Sequence, residues 1–135
     1  MIVKNTMISS KIEQYHFENG TWLRLIEFLK QENTYMKNHL SDMMDHVQGR
    51  ESLALAEHFQ NQFIVKDDVY DHMINELRKH SLKMREGKSE GLNPAPVVND
   101  ELQKNHSHMK EQLSKIQQDH LVLSADYNTY MTSLN

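Results

Sequence analysis

Nine of the 135 residues are histidine, and histidine is both the commonest metal ligand and the side chain whose charge changes near neutrality. Asp42 and His46, Asp68 and His72, and Glu76 and His80 stand at i and i+4. On a helix each such acid and imidazole share a face, where they form a surface pair worth roughly 0.3 kcal/mol or offer two ligands to a metal. The known helical metal centres ask for more. A carboxylate-bridged di-iron bundle takes Glu-x-x-His on two helices, and that pair of motifs is not present. The combination of His-x-x-x-Glu and His-x-x-x-His seen in hemerythrins is not present either. The chain also lacks a glycine-rich phosphate loop and His-Glu-x-x-His, and its one Gly-x-Ser-x-Gly spacing, at residues 87–91, follows a helical run where a nucleophile elbow needs a strand before it, so no catalytic motif is on offer.

Whether the histidines meet depends on the elements that carry them. The four glycines and two prolines fall at Gly20, Gly49 and the stretch Gly87, Gly91, Pro94 and Pro96. Between these breakers lie long uninterrupted runs, which read as helices. In the last run Leu102, His106, Met109, Leu113, Ile116, His120, Leu123, Tyr127, Tyr130 and Leu134 alternate steps of four and three, the spacing of a heptad seam. The first run does the same through Ile12, Tyr15, Asn19, Trp22, Ile26, Leu29, Asn33, Met36, Leu40, Met43 and Val47. Ser10 and Glu13 have the spacing of a capping box, which places the helix start near Ser10 and leaves residues 1–9 as an arm. Gly20 then sits inside the helix, where a break or kink is the cost to look for. The middle run carries Leu55, Phe59, Phe63, Tyr70, Met73, Leu77, His80 and Met84, with Ile64, Val65, Val69 and Ile74 widening the face. Asn99 and Asp100 mark the entry to the third helix.

These patterns predict an all-α domain over 10–135, with helices at about 10–47, 51–86 and 99–134, packed as an antiparallel up-down-up three-helix coiled-coil bundle. A homodimer is the other way to complete the core. Tyr127 and Tyr130 would seal one end with wet hydroxyls, and the methionines on the seams read as core filling. The basic residues Arg78, Lys79, Lys83, Arg85 and Lys88 complement the C-terminal end of the second helix.

Two blocks within the first two helices, Glu18-Asn-Gly-Thr-Trp22-Leu-Arg-Leu-Ile-Glu-Phe-Leu-Lys and Ala56-Glu-His-Phe-Gln-Asn-Gln-Phe-Ile64, resemble a family of small all-helical bacterial proteins with no established activity. The resemblance implies the fold alone, leaves the third helix outside and assigns no functional residue.

In a hairpin turning near residues 48–49, positions whose numbers sum to about 97 are level, which sets His39 beside His58. A second sum near 184 sets His58 beside Asp126, Glu32 and Val65 near His120, and His80 near 104–106. The candidate ligands for a divalent transition metal are therefore Glu32, His39, Glu57, His58, His120 and Asp126, with His80, His106 and His108 at the other level. The same seam histidines also suit a second role, as polar residues that hold register by hydrogen-bonding a neighbour, as Asn33 would.

Composition narrows the partners. Nineteen acids against fifteen Lys and Arg give a formal charge of −4, which disfavours nucleic acid. The chain has no cysteine, hence no disulfide, thiolate or cysteine zinc site. It has no secretory signal and no apolar run of the roughly 18 residues a membrane span needs, which fits the cytoplasm. The leading expectation is a non-enzymatic bundle that self-associates or docks a protein partner, without nucleic acid or membrane. The competing one is a metal-binding bundle.

Overall fold

The computed structural model describes residues 2–89 and 99–134. Three long helices and no strand occur among them: α1, Ile2–Met43; α2, Arg50–Ser89; and α3, Asp100–Ser133. The α1–α2 connection is a 3-10 turn at Met44–His46, extended backbone at Val47, and Gly49 at φ +94°. That last angle lies in the left-handed region that glycine enters without a steric penalty. The link through Gly91, Pro94 and Pro96 lies outside the described residues.

α1 begins eight residues before Ser10, which is interior to the helix and no cap. Nothing between residue 2 and Gly20 breaks a helix, so the capping-box spacing has no end to mark. Gly20 does not interrupt α1 either, because intrahelical hydrogen bonding on both sides outweighs the ~1 kcal/mol that glycine forfeits. At the other end α1 closes at Met43, short of Val47, by tightening into the 3-10 turn. α3 starts as expected: the Asn99 side chain accepts from the Leu102 N–H at 2.8 Å, satisfying one of the free donors of the first turn.

The seams of α1 and α3 are the buried faces. Ile12, Tyr15, Asn19, Ile26, Leu29, Asn33, Met36 and Leu40 are buried on α1, and eight of the ten seam residues of α3 are buried. On α2 the seam is displaced at its start. Leu55 is 48% exposed and Ala56 is wholly buried in its place, because position 56, not 55, preserves the alternation into Phe59 and Phe63. Ile64 and Val65 also stand outside. The widening is made by Ile74, which is buried, and Val69, which is half-buried.

Three apolar clusters follow one another along the bundle. Ile12, Tyr15, Met84 and Leu102 fill one end, Ile26, Leu29, Tyr70, Leu77 and Leu113 are in the middle, and Leu40, Phe59, Phe63, Tyr127 and Tyr130 fill the turn end. The hydroxyls of this last cluster are not left to water: Tyr127 Oη is 2.7 Å from His39 Nδ1, and Tyr130 donates to the Ser52 carbonyl at 2.8 Å. No described helix is long and apolar enough to cross a membrane.

Candidate functional site

The dipeptide Glu-Asn occurs twice on α1, at Glu18-Asn19 and Glu32-Asn33, 14 residues apart. Two heptads return a helix position to the same face, so both copies meet the same walls. The asparagines face α2. Asn19 Nδ2 donates to the Leu77 carbonyl at 3.2 Å, and Asn33 Nδ2 donates to the Phe63 carbonyl at 2.8 Å. Both pairs sum to 96, close to the sum of about 97 expected for the hairpin. The glutamates face α3: Glu32 Oε1 is 2.9 Å from His120 Nε2, and Glu18 Oε2 is 3.6 Å from His106 Nε2. These contacts share an offset of 88 residues with the His39–Tyr127 bond, as parallel helices in fixed register require.

The two resulting polar layers differ in completeness. In the layer of Glu32, the Tyr70 hydroxyl is 2.9 Å from His120 Nδ1. Tyr70 donates to Nδ1 and His120 Nε2–H donates to Glu32, so a hydroxyl–imidazole–carboxylate chain crosses all three helices. Asn33 also donates to Asp67 Oδ1 at 2.8 Å, and Lys37 pairs with the same carboxylate. The phenol of Tyr70 is pushed up to about 12, first by burial and then by the charges of Asp67, Asp119 and Glu32. Such a chain resembles a catalytic relay, but Tyr70 and His120 are sealed from solvent. No substrate reaches the hydroxyl without parting α2 from α3. Its physical effect is orientation of the three helices.

The layer of Glu18 holds two imidazoles. His80 Nε2 is 2.9 Å from His106 Nδ1, and His106 is sandwiched by the Tyr15 ring at 3.8 Å and the Trp22 ring at 4.5 Å between centroids. With the His106 proton on Nε2, which at 3.6 Å from Glu18 makes no hydrogen bond, His80 donates across the pair, and His80 Nδ1 and His106 Nε2 are both buried without a hydrogen-bond partner. His80 is pushed down to about 4, first by burial and then by the neighbouring His106, Lys83 and His16. His106 is also lowered by burial, with the Glu18 carboxylate pulling the other way. Both rings are held neutral at pH 7.

Of the six residues expected to ligate a metal, the structure brings together Glu32 and His120 alone. His39 is turned to Tyr127 and Tyr35, whereas Glu57 and His58 are exposed, His58 with its ring edge on Phe59. His58 and Asp126 do share one groove, between α2 and α3. The second level is partly assembled, with His80 on His106 and with His108 exposed. Among the described residues no group of three or more His, Cys, Asp or Glu is placed to hold a metal ion. The repeated Glu-Asn pair was visible in the sequence as two identical dipeptides two heptads apart on one seam, and it is the signal that locates both layers.

Comparison with protein-family models, curated proteins and solved structures finds no match to this chain. The likeness of the first two helices to small bacterial helical proteins therefore has no family match behind it and transfers no residue role. What distinguishes the molecule lies in its own geometry. Outside the core, Phe17, Phe28 and Tyr35 on α1, Leu55, Ile64, Val65 and Leu82 on α2, and Leu121 and Val122 on α3 are exposed.

Proposed function

We propose that this protein is a non-enzymatic helical bundle that works by association, through its outer helix faces, with a protein partner or with its own copies. One observation carries the reading: the buried polar side chains of the seams are engaged in interhelical bonds inside the bundle, while large apolar side chains stand outside along the helices. Exposed apolar residues grouped along a groove are a mark of interaction surfaces. A cytoplasmic setting belongs to this reading and rests on the cysteine-free composition.

The test is native mass spectrometry of untagged protein purified without chelator or nickel resin, joined to photo-crosslinking in the expressing cell from a benzoylphenylalanine at Val65 or Phe17. A defined oligomer or a discrete crosslinked adduct supports association. A monomer that crosslinks to nothing at either position overturns it. A stoichiometric metal adduct lost in His120→Ala would replace it by the second reading, metal binding at the contacting pair Glu32 and His120.

A further inference from the structure

The two polar layers respond differently to an added proton. In the layer of Glu18, His80 and His106 are 1% and 5% exposed, and one proton lies between them across the 2.9 Å contact of His80 Nε2 and His106 Nδ1. A further proton on His106 Nδ1 sets N–H against N–H across that contact. A further proton on His80 Nδ1 sits on a buried atom that has no acceptor. In either case a charge enters a space walled by the Tyr15 and Trp22 rings on His106, where water does not solvate it. The charged groups facing the pair are Glu18 and His16 of α1, Lys83 of α2 and Lys110 of α3, with the Tyr15 phenol beside them. Their one carboxylate is 3.6 Å from His106 Nε2, and the two lysines oppose any positive charge on the rings.

The layer of Glu32 is built to accept one. His120 Nε2 is 2.9 Å from the Glu32 carboxylate, and its Nδ1 meets the Tyr70 hydroxyl, which can turn and accept once Nδ1 carries a proton. A charged His120 thus keeps both contacts and gains a counter-ion. Along α3, then, acid strains the His106 end and spares the His120 end.

Packing favours release at the strained end. Beyond the imidazole pair, the apolar cluster among the described residues is Ile12, Tyr15, Met84 and Leu102, to which α3 contributes Leu102 alone. At the other end α3 supplies Leu123, Tyr127 and Tyr130. The cap of α3 is also its own, Asn99 on the Leu102 N–H, so the first turns keep their helix without α1 or α2. We infer that residues 100–113 are an acid-released segment: proton uptake by the His80–His106 pair parts this half of α3 from α1 and α2, while the half carrying His120, Tyr127 and Tyr130 stays docked. Release uncovers the ring faces of Tyr15 and Trp22, so an apolar face is presented in acid and covered at neutral pH.

The chain has no cysteine, so single thiols read the opening of each half. Met109→Cys and Leu123→Cys place one thiol at a buried position of each. Both are labelled with 4,4′-dithiodipyridine at pH 7.5 and 4.5, each rate being taken relative to glutathione at the same pH. His80 is held to about 4 in the fold against 6.5 when free, so its release at pH 4.5 raises the opening constant on the order of 100-fold. Met109→Cys should accelerate by about that factor and Leu123→Cys by less than about threefold. Added to Met109→Cys, His80→Gln keeps a donor toward His106 and takes no proton, and should cut the acceleration by about tenfold or more. Glu18→Gln removes the facing carboxylate and should enlarge it. Circular dichroism at pH 7.5 checks each fold, and Glu18→Gln, at a part-exposed position, decides alone if His80→Gln does not fold. Equal acceleration of the two thiols overturns segmental release in favour of whole-bundle acid unfolding. A Met109→Cys thiol that does not accelerate, or whose acceleration neither variant changes, overturns the role of the imidazole pair.

Discussion

Asn19 and Asn33 make the same bond twice: each donates its side-chain amide to a main-chain carbonyl of α2, of Leu77 and Phe63, from positions two heptads apart. In both, Oδ1 is buried without a partner, so each amide spends its donor on register and leaves its acceptor unmet. That is a cost in stability accepted for a specific alignment. Asn33→Leu should therefore hold or raise the urea midpoint while loosening the alignment. The check is a comparison of amide spectra, with a single sharp set of resonances in the parent and multiple or broadened sets in the variant. A Leu variant as sharp as the parent would remove the register role.

The paired imidazoles make the bundle acid-sensitive. His80 is held to about 4 in the fold against an ordinary value of 6.5, and His106 is lowered as well. As pH falls below 6.5 the unfolded chain takes up protons that the fold refuses, so stability is fully present above that value and is lost down to about 4. The facing groups are Tyr15, His16 and Glu18 of α1, Lys83 of α2 and Lys110 of α3. Urea midpoints from pH 7.5 to 4 should fall steeply in the parent and less steeply in His80→Gln, which keeps a donor toward His106 and does not titrate. Equal slopes in the two proteins would show that the pair contributes nothing to acid sensitivity.

The Tyr70 bond has an alkaline signature. Tyr70 and Tyr127 are each pushed up to about 12 from 10.0, burial being the first cause. The unfolded chain loses these protons near 10, so stability is present below that pH and declines as pH rises toward 12. Ultraviolet titration should show late phenol ionisation that merges with unfolding, and Tyr70→Phe should remove part of it. The same change strands His120 Nδ1 as a buried acceptor at a cost of about 1–3 kcal/mol, read at pH 7 from denaturant midpoints.

Gly20 offers the reverse effect. A Cβ there would meet only the Arg24 guanidinium at 3.6 Å, an ordinary contact, and the backbone is helical on both sides. Gly20→Ala should stabilise the bundle by about 0.5–1 kcal/mol. An unchanged or lower thermal midpoint would mean that the groove this glycine shares with Leu23, Arg78 and Leu82 needs the space.

Much of the architecture is readable from one chain because helix seams are local. The alternation of four and three from Ile12 to Leu40 and from Leu102 to Tyr130 reports which side of each helix leaves water, and the burial follows it. The hairpin sum of about 97 came within one of the observed 96 because a short turn leaves little freedom in where α2 begins. Leu55 went the other way: hydrophobicity favoured it over Ala56, but the heptad phase and the close approach of α3, with Tyr130 bonded to Ser52, favour the smaller residue.

By itself, then, the sequence determined three helices, their buried faces and the polar positions on those faces, since each follows from residue periodicity and breakers within one segment. The level sums also set Glu32 near His120 and His80 near His106, where the structure bonds them, whereas only the tertiary structure decided that Glu18 turns to His106, Asn19 and Asn33 to carbonyls of α2, and His39 to Tyr127 in place of His58. A seam specifies a face but not the neighbour across it. The offset of 88 residues between α1 and α3 is within one of the 87 that the two level sums imply, but which side chain reaches across it is settled by how the third helix packs against the other two.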